Sequence, residues 1–254
     1  MSPPGRPKGE FRSAQHEGNP VSPPDRPKGE HRSAERGMST MSPAAHPEGE
    51  DRSAPRERAP VPVPGVTGVI LAGGMGRRMG GVDKGLVALD GKPMVEHVHA
   101  RLAPQVDAVL INANQNLERY ARLGVPVVPD AIPGFAGPLA GLHAGLAAAT
   151  TEFVATVPCD SPFLPHDLVA RLMADLVAHR AELAVARTFD QPHPVFALVR
   201  RRVFAHLASF LDGGGRKIDA WYATLATVET AFDDEADAFR NINTGAELAA
   251  AARR

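Results

Sequence analysis

The 254-residue chain has little of several things. It contains a single cysteine, Cys159, one tryptophan and two tyrosines. One cysteine excludes an internal disulfide framework and any site built from four cysteines. Net charge is nearly absent, with 28 Lys+Arg against 29 Asp+Glu, so the basic excess of a dedicated nucleic-acid binder is missing. No apolar run approaches the roughly 18–20 residues that span a bilayer, and residues 1–30 hold no signal-peptide apolar stretch. The expectation is a cytoplasmic protein with neither nucleic acid nor membrane as a partner. Beyond residue 60 the only serines are Ser161 and Ser209, and no G-x-S-x-G occurs, so a serine nucleophile has little support. The histidines of that stretch (His97, His99, His143, His166, His179, His193, His206) show no H-E-x-x-H or Cys/His metal spacing. His97 and His99 are expected on a helix surface, and Cys159 as a small buried packing residue.

What is present falls into two unlike parts. Residues 1–60 hold 11 of the 24 prolines, 10 Lys+Arg and 9 Asp+Glu, with almost no large apolar residues. The segment Ser2–Ala14 returns as Ser22–Ala34, and a worn copy runs from Ser42 to Ala54. A solenoid repeat must offer an apolar face to its neighbour. These units offer none, since Phe11 becomes His31 and then Asp51. A segment with so little to bury is expected to be disordered, and Met38 and Met41 stand just before the domain as alternative starts. Residues 61–254 are expected to form one domain, long enough for a substantial core.

Within that domain apolar β-branched runs alternate with helical spacing. Strands are expected at Val66–Ala72, Val106–Ile111, Val125–Val128 and Phe153–Val157, and helices at 94–103, 115–123 and 137–150. This alternation predicts an α/β fold, a parallel sheet covered on both faces. Polar residues collect just past the strand ends, at 73–84, 112–114, 130 and 160, the edge where such sheets bind ligands.

The densest signal is Leu71-Ala72-Gly73-Gly74-Met75-Gly76-Arg77-Arg78-Met79-Gly80-Gly81-Val82-Asp83-Lys84. Glycines let backbone N–H groups approach phosphate oxygens, and Arg and Lys neutralise their charge. A P-loop is excluded because Gly85, not Ser or Thr, follows Lys84. The dinucleotide fingerprint fails because Met79 stands where its third glycine belongs. Asp160, a lone carboxylate after an apolar strand, suits Mg²⁺ held together with substrate phosphates. Its competing role is to cap the next helix from the turn Asp160-Ser161-Pro162.

The loop resembles the signature L-A-G-G-x-x-x-R-M-G-x-x-K of nucleotidyltransferases with a Rossmann-like fold. Further segments narrow the resemblance to the molybdenum cofactor guanylyltransferases: Gly80–Leu86, Gly91-Lys92-Pro93, Asn112-Ala113-Asn114, Gly137–Gly141, Pro158–Phe163, His193-Pro194 and Asn241–Thr244. It runs from about Val66 to Leu248. It implies transfer of GMP from GTP to molybdenum-loaded molybdopterin with Mg²⁺ as cofactor, and molybdoenzyme chaperones or other molybdopterin-handling proteins as partners. It implies that the backbone of Leu71, Ala72 and Gly73 holds the nucleotide and that Lys84 meets its phosphates. Asn112 and Asp130 match GTP-contact positions, and Asp160 matches the Mg²⁺ ligand. Arg78 and Gly81, with Lys84 and Asp160, match catalytic positions, while Asn241 and Asn243 match positions facing the pterin. Gly245-Ala246 stands where many relatives have Pro-Glu, which bears on a helix start. A cytidylyltransferase acting on the same pterin is the nearest alternative, but its relatives tend to show L-A-A-G at 71–74. Sugar-phosphate nucleotidyltransferases lie further off. A non-catalytic GTP-binding delivery module would not need both Lys84 and Asp160.

Overall fold

The computed structural model describes residues 58–72, 83–132, 137–242 and 247, all within Ser53–Arg254, the second of two compact units. Residues 1–57, the loop 73–82 with Gly73, Arg78 and Gly81, and Asn243 lie outside the described residues. The elements run β1 (Val66–Leu71), β2 (Ala88–Leu89), β3 (Lys92–Pro93), α1 (Met94–Leu102), β4 (Ala108–Asn112), α2 (Leu117–Ala121), β5 (Val127–Val128), α3 (Pro138–Ala148), β6 (Phe153–Pro158), α4 (Leu168–Ala178), β7 (Leu183–Thr188), β8 (Gln191–Arg200), α5 (Phe204–Asp212), α6 (Ile218–Tyr222) and β9 (Thr227–Ala231).

Seven strands form one sheet in the order β5-β4-β1-β6-β8-β7-β9. β5, β4, β1 and β6 are mutually parallel, β8 runs antiparallel to β6 and β7, and β9 returns parallel to β7. β2 and β3 make a separate short hairpin. The expected mostly parallel α/β sheet is what forms. Strand starts shift slightly. Val106 and Asp107 close the turn after α1 instead of opening β4, and the Asp107 carboxylate accepts the Gly65 N–H at 2.6 Å. β7, β8 and β9 lie beyond Asp160, where the sequence predicts no strand. β7 and β8 meet at a two-residue hairpin where Phe189 takes a left-handed φ of 50°. No glycine or Asn-Gly pair marks that turn.

Alternation along β1 divides the core between the two faces. Val66 and Ile70 pack with Val95, Val98 and Leu102 of α1 and with Leu168, Leu172 and Leu176 of α4. Val69 packs on the opposite face with Leu139, Leu142 and Leu146 of α3, Leu207 and Leu211 of α5, and Trp221 of α6. Each large apolar side chain so removed from water contributes about 1.5–3 kcal/mol. Upstream of β1, Arg58 pairs with Asp167 and Asp234 at 2.8 Å and with Glu235 at 2.9 Å. That arginine belongs by composition to the proline-rich tail, yet its charge is neutralised by the domain.

α3 sets how closely one face of the sheet is covered. Every residue from Leu139 to Leu146 is buried, as a helix apolar all round must be. Two glycines allow the approach. A Cβ on Gly145 would stand 2.7 Å from Val69 Cγ2, and one on Gly141 would run into Asn112 Oδ1. Gly145→Ala gains about 1 kcal/mol of helix propensity but overpacks the interface at a cost of about 1–3 kcal/mol. The expected outcome is a net loss of about 1 kcal/mol in urea denaturation; equal or higher stability would contradict the close-packing account.

Candidate active site

The four parallel strands end level. Val128, Asn112, Leu71 and Pro158 are register partners across β5, β4, β1 and β6. The residues just past them therefore reach one edge in strand order, about 4.8 Å apart per strand. The chain leaves β1 toward β4 and β5, then returns through α3 to β6 on the other side of β1. Such a reversal opens a crevice at the carboxyl ends of the strands.

On the β5 side the edge carries a carboxylate held from two sides. Asp130 Oδ1 accepts from Asn112 Nδ2 at 2.9 Å, and Oδ2 accepts from Asn114 Nδ2 at 2.8 Å. The Asp130 N–H returns a bond to Asn114 Oδ1 at 2.8 Å. Asn112 is only 2% exposed, and its second amide hydrogen goes to the Val128 carbonyl at 3.1 Å. Asn112 thus fixes Asp130 from below, and Asp130 is the group that faces outward. Asn114 belongs to the Asn112-Ala113-Asn114 run but carries no predicted role. Its signal was its position two residues past Asn112, at a strand end.

On the β6 side Lys84 Nζ meets Asp160 Oδ2 at 3.1 Å. Asp160 is 8% exposed. Its backbone carbonyl accepts the Ile242 N–H at 2.9 Å, while the preceding Cys159 N–H donates to the Leu71 carbonyl at 3.1 Å. The α4 N-cap position belongs to Asp167, not Asp160, so the helix-capping role for Asp160 has no support. Leu71 is the last residue of β1, and the Ala72 N–H is spent on the Asn112 carbonyl at 2.8 Å. Asn241 also reaches this edge, where its Oδ1 accepts from Ser161 Oγ at 2.6 Å. Cys159 is buried, and burial with Asp160 and Asp83 beside it pushes its thiol far above the usual range. It is a packing residue, as expected. His97 sits half-buried on α1 with Nε2 against the Leu89 carbonyl at 2.9 Å.

A further group escaped the sequence reading. Asp83, just before Lys84, accepts from Tyr120 OH at 2.5 Å and from Asn116 Nδ2 at 3.0 Å. Burial, with Cys159 and Asp83 nearby, pushes the Tyr120 phenol far above its ordinary value, so it stays a donor. Gly85 lies flat against this ring and Cys159; a Cβ there would stand 2.6 Å from Tyr120 OH. α2 thereby anchors the end of the glycine-rich loop and aims Lys84 at Asp160. No local pattern signals a pairing across 37 residues.

These contacts decide what cation fits. Among the described residues no cluster of three or more His, Cys, Asp or Glu can hold a metal. Asp83 is held against Tyr120 and Asn116 on the α2 side, and Asp160 is the carboxylate paired with Lys84 at the strand edge. A tetrahedral zinc cage is excluded for these residues. One carboxylate completed by substrate phosphates is the habit of Mg²⁺, and the donor set fits it. A surface depression of about 410 Å³ opens elsewhere, lined by Lys92, Glu96, His97, His99, Arg122 and Leu123. It includes none of the strand-end residues.

Known proteins resolve the family. Residues 68–228 match the MobA-like NTP transferase domain. A molybdenum cofactor guanylyltransferase of Ralstonia nicotianae is 52% identical over 203 residues, covering 76% of this chain and 99% of that one. The chain belongs to this family. A second member, from Cupriavidus taiwanensis, is 54% identical over 190 residues, covering 73% of this chain and 95% of the relative. The crystal structure of molybdopterin-guanine dinucleotide biosynthesis protein A from Archaeoglobus fulgidus superposes with a TM-score of 0.63 at 25% identity, covering 74% and 97% of the two chains. The protein is therefore a nucleotidyltransferase, and no helix among the described residues is long and apolar enough to cross a membrane.

The anchoring of Lys84 by α2 is testable. Tyr120→Phe keeps the ring but removes one hydrogen bond to a carboxylate, worth about 1.5–3 kcal/mol. Stability should fall by about that amount, and nucleotide affinity should fall several-fold in a fluorescence titration. A stability loss with unchanged nucleotide affinity would show that Asp83 does not aim Lys84.

Proposed function

We propose that the protein transfers GMP from GTP to molybdenum-loaded molybdopterin, forming the guanine dinucleotide form of the cofactor and releasing pyrophosphate. The observation that carries this reading is the level strand edge. It sets the held Asp130 carboxylate at one end and the Lys84–Asp160 pair at the other, with the ends of β4 and β1 between them.

Guanine offers N1–H and N2–H on one side of the ring, and a carboxylate with both oxygens oriented accepts both. Cytosine offers its exocyclic amine and then an acceptor, which leaves a carboxylate oxygen facing a lone pair. Sites built for a hydrogen-bonding group discriminate strongly against a partner that lacks it. In this reading the backbone of Leu71, Ala72 and Gly73 flanks the nucleotide, and Asn112 acts through Asp130.

The nucleophile is a phosphate oxygen of molybdopterin, already ionised at neutral pH, so no strong general base is required. A bond forms from that oxygen to the α-phosphorus as the bond to the oxygen bridging to the β-phosphate breaks. Pyrophosphate leaves with the electron pair. Asp160 would hold Mg²⁺, which when bound neutralises phosphate charge. Lys84 meets phosphate oxygens from beside Asp160, and Arg78 and Gly81 are assigned to the same task in the loop. Asn241 and Asn243 are assigned to the pterin. The chain's work is positioning and electrostatic stabilisation. Its partners in this reading are GTP, the loaded pterin and the proteins that hand the pterin on.

Pyrophosphate release should be measured with GTP, CTP and ATP, with and without molybdenum-loaded molybdopterin. Release should require both GTP and the pterin. Equal or faster release with CTP would move the protein to the cytidylyltransferases, and GTP binding without release would make it a delivery module. Asp160→Asn keeps the side-chain shape and removes the charge. It should melt near the wild-type temperature while turnover falls by orders of magnitude, since metal stabilisation of a transferred phosphoryl is worth several kcal/mol. A folded Asp160→Asn protein with unimpaired turnover would refute the metal assignment.

A further inference from the structure

The segment 239–242 crosses the β6 end of the edge and is fixed on both sides of two exposed residues, Arg240 and Asn241. Phe239, 4% exposed, stacks on His193 with ring centroids 4.8 Å apart and planes 19° from parallel. Ile242, 6% exposed, packs with Leu89 and Met94, and its N–H donates to the Asp160 carbonyl at 2.9 Å. Between them Asn241 is exposed, yet its carboxamide is held: Ser161 Oγ donates to Asn241 Oδ1 at 2.6 Å. Ser161 itself has no exposed surface. With Oδ1 engaged, the group left to face outward is Nδ2, which carries two N–H donors and no acceptor.

We infer that Ser161 is a positioning residue for the second substrate: it locks the Asn241 amide so that its NH₂ points at an oxygen of the group receiving the nucleotidyl unit. The ligand class is a hydrogen-bond acceptor, a phosphate oxygen or a ring carbonyl. Ser161 directly follows Asp160, so one short turn holds the carboxylate on the nucleotide side and orients the amide on the other. This inference rests on the nucleotidyl-transfer reading above, with molybdopterin as the acceptor. A freely rotating Asn241 would present oxygen and nitrogen alternately and would lose selectivity for acceptor oxygens.

The test combines Ser161→Ala, Asn241→Ala, the double variant and Asn241→Asp. In the free protein the Asn241 side-chain NH₂ pair, identified by its loss in Asn241→Asp, should shift in the nitrogen–proton NMR spectrum of Ser161→Ala. In steady state Ser161→Ala should raise the KM for molybdopterin about fivefold, the worth of one neutral hydrogen bond, and leave the KM for GTP unchanged. The double variant should be no worse than Asn241→Ala, because two residues acting through one contact are not additive. Asn241→Asp still accepts the Ser161 bond but offers oxygen where NH₂ was, so it should lose more acceptor affinity than Asn241→Ala. Additive losses, an equal rise in the GTP KM, or an NH₂ pair unmoved by Ser161→Ala would overturn the assignment of Ser161. A wild-type protein that transfers nothing to molybdopterin would overturn the nucleotidyl-transfer reading and the acceptor assignment with it, an outcome distinct from intact transfer with an unmoved amide pair.

Discussion

The contact between Lys84 and Asp160 is the point on which the rest of the site depends. The two side chains are 28% and 11% exposed, so both charges are partly withdrawn from water where they meet. The fold holds each member independently. Lys84 is aimed from the α2 side, where Tyr120 and Asn116 grip the neighbouring Asp83. Asp160 is carried by β6 and tied through its carbonyl to Ile242. In the proposed reaction a phosphate group meets a cation and a carboxylate already in place, which lowers the cost of organising charge during transfer.

The sheet divides its labour around that contact. Its four parallel strands bring Asp130, Asn114, Ala72 and Asp160 to one level edge, and small residues of α3 let the covering helix lie close over β1 and β4. Beyond β6 the sheet changes character. The antiparallel β8 supplies His193, which stacks on Phe239 and so steadies the segment bearing Asn241. The part of the molecule proposed to read the nucleotide and the part proposed to read the acceptor therefore meet at residues 160 and 161.

Much of the parallel half was legible in the sequence. VTGVIL and FVATVP are apolar, largely β-branched runs bounded by loop residues, and they become β1 and β6 within a residue of the expected ends. Lys84, Asp130 and Asp160 were singled out as residues, but nothing in their spacing showed that Lys84 would reach Asp160, 76 positions away. The antiparallel half was not legible. Its hairpin turns at Phe189 without a glycine, and β9 is mostly exposed, with only Thr230 buried, so it lacks the apolar run that marks a strand. The residues that hold the site rather than form it, Tyr120 on Asp83 and Ser161 on Asn241, pair across 37 and 80 positions and leave no pattern along the chain. Asn112, which matches a nucleotide-contact position, is buried beneath Asp130.

The central claim is that phosphates and metal meet at Lys84 and Asp160. Its most direct test is a crystal structure of the protein soaked with GTP and Mn²⁺, in which Mn²⁺ stands in for Mg²⁺ and is located by its anomalous signal. The account predicts one Mn²⁺ peak bonded to an Asp160 carboxylate oxygen and to phosphate oxygens, with Lys84 Nζ on the same phosphates and the guanine edge against Asp130. A peak remote from Asp160, or phosphates seated in the depression beside Lys92 and Arg122, would contradict it.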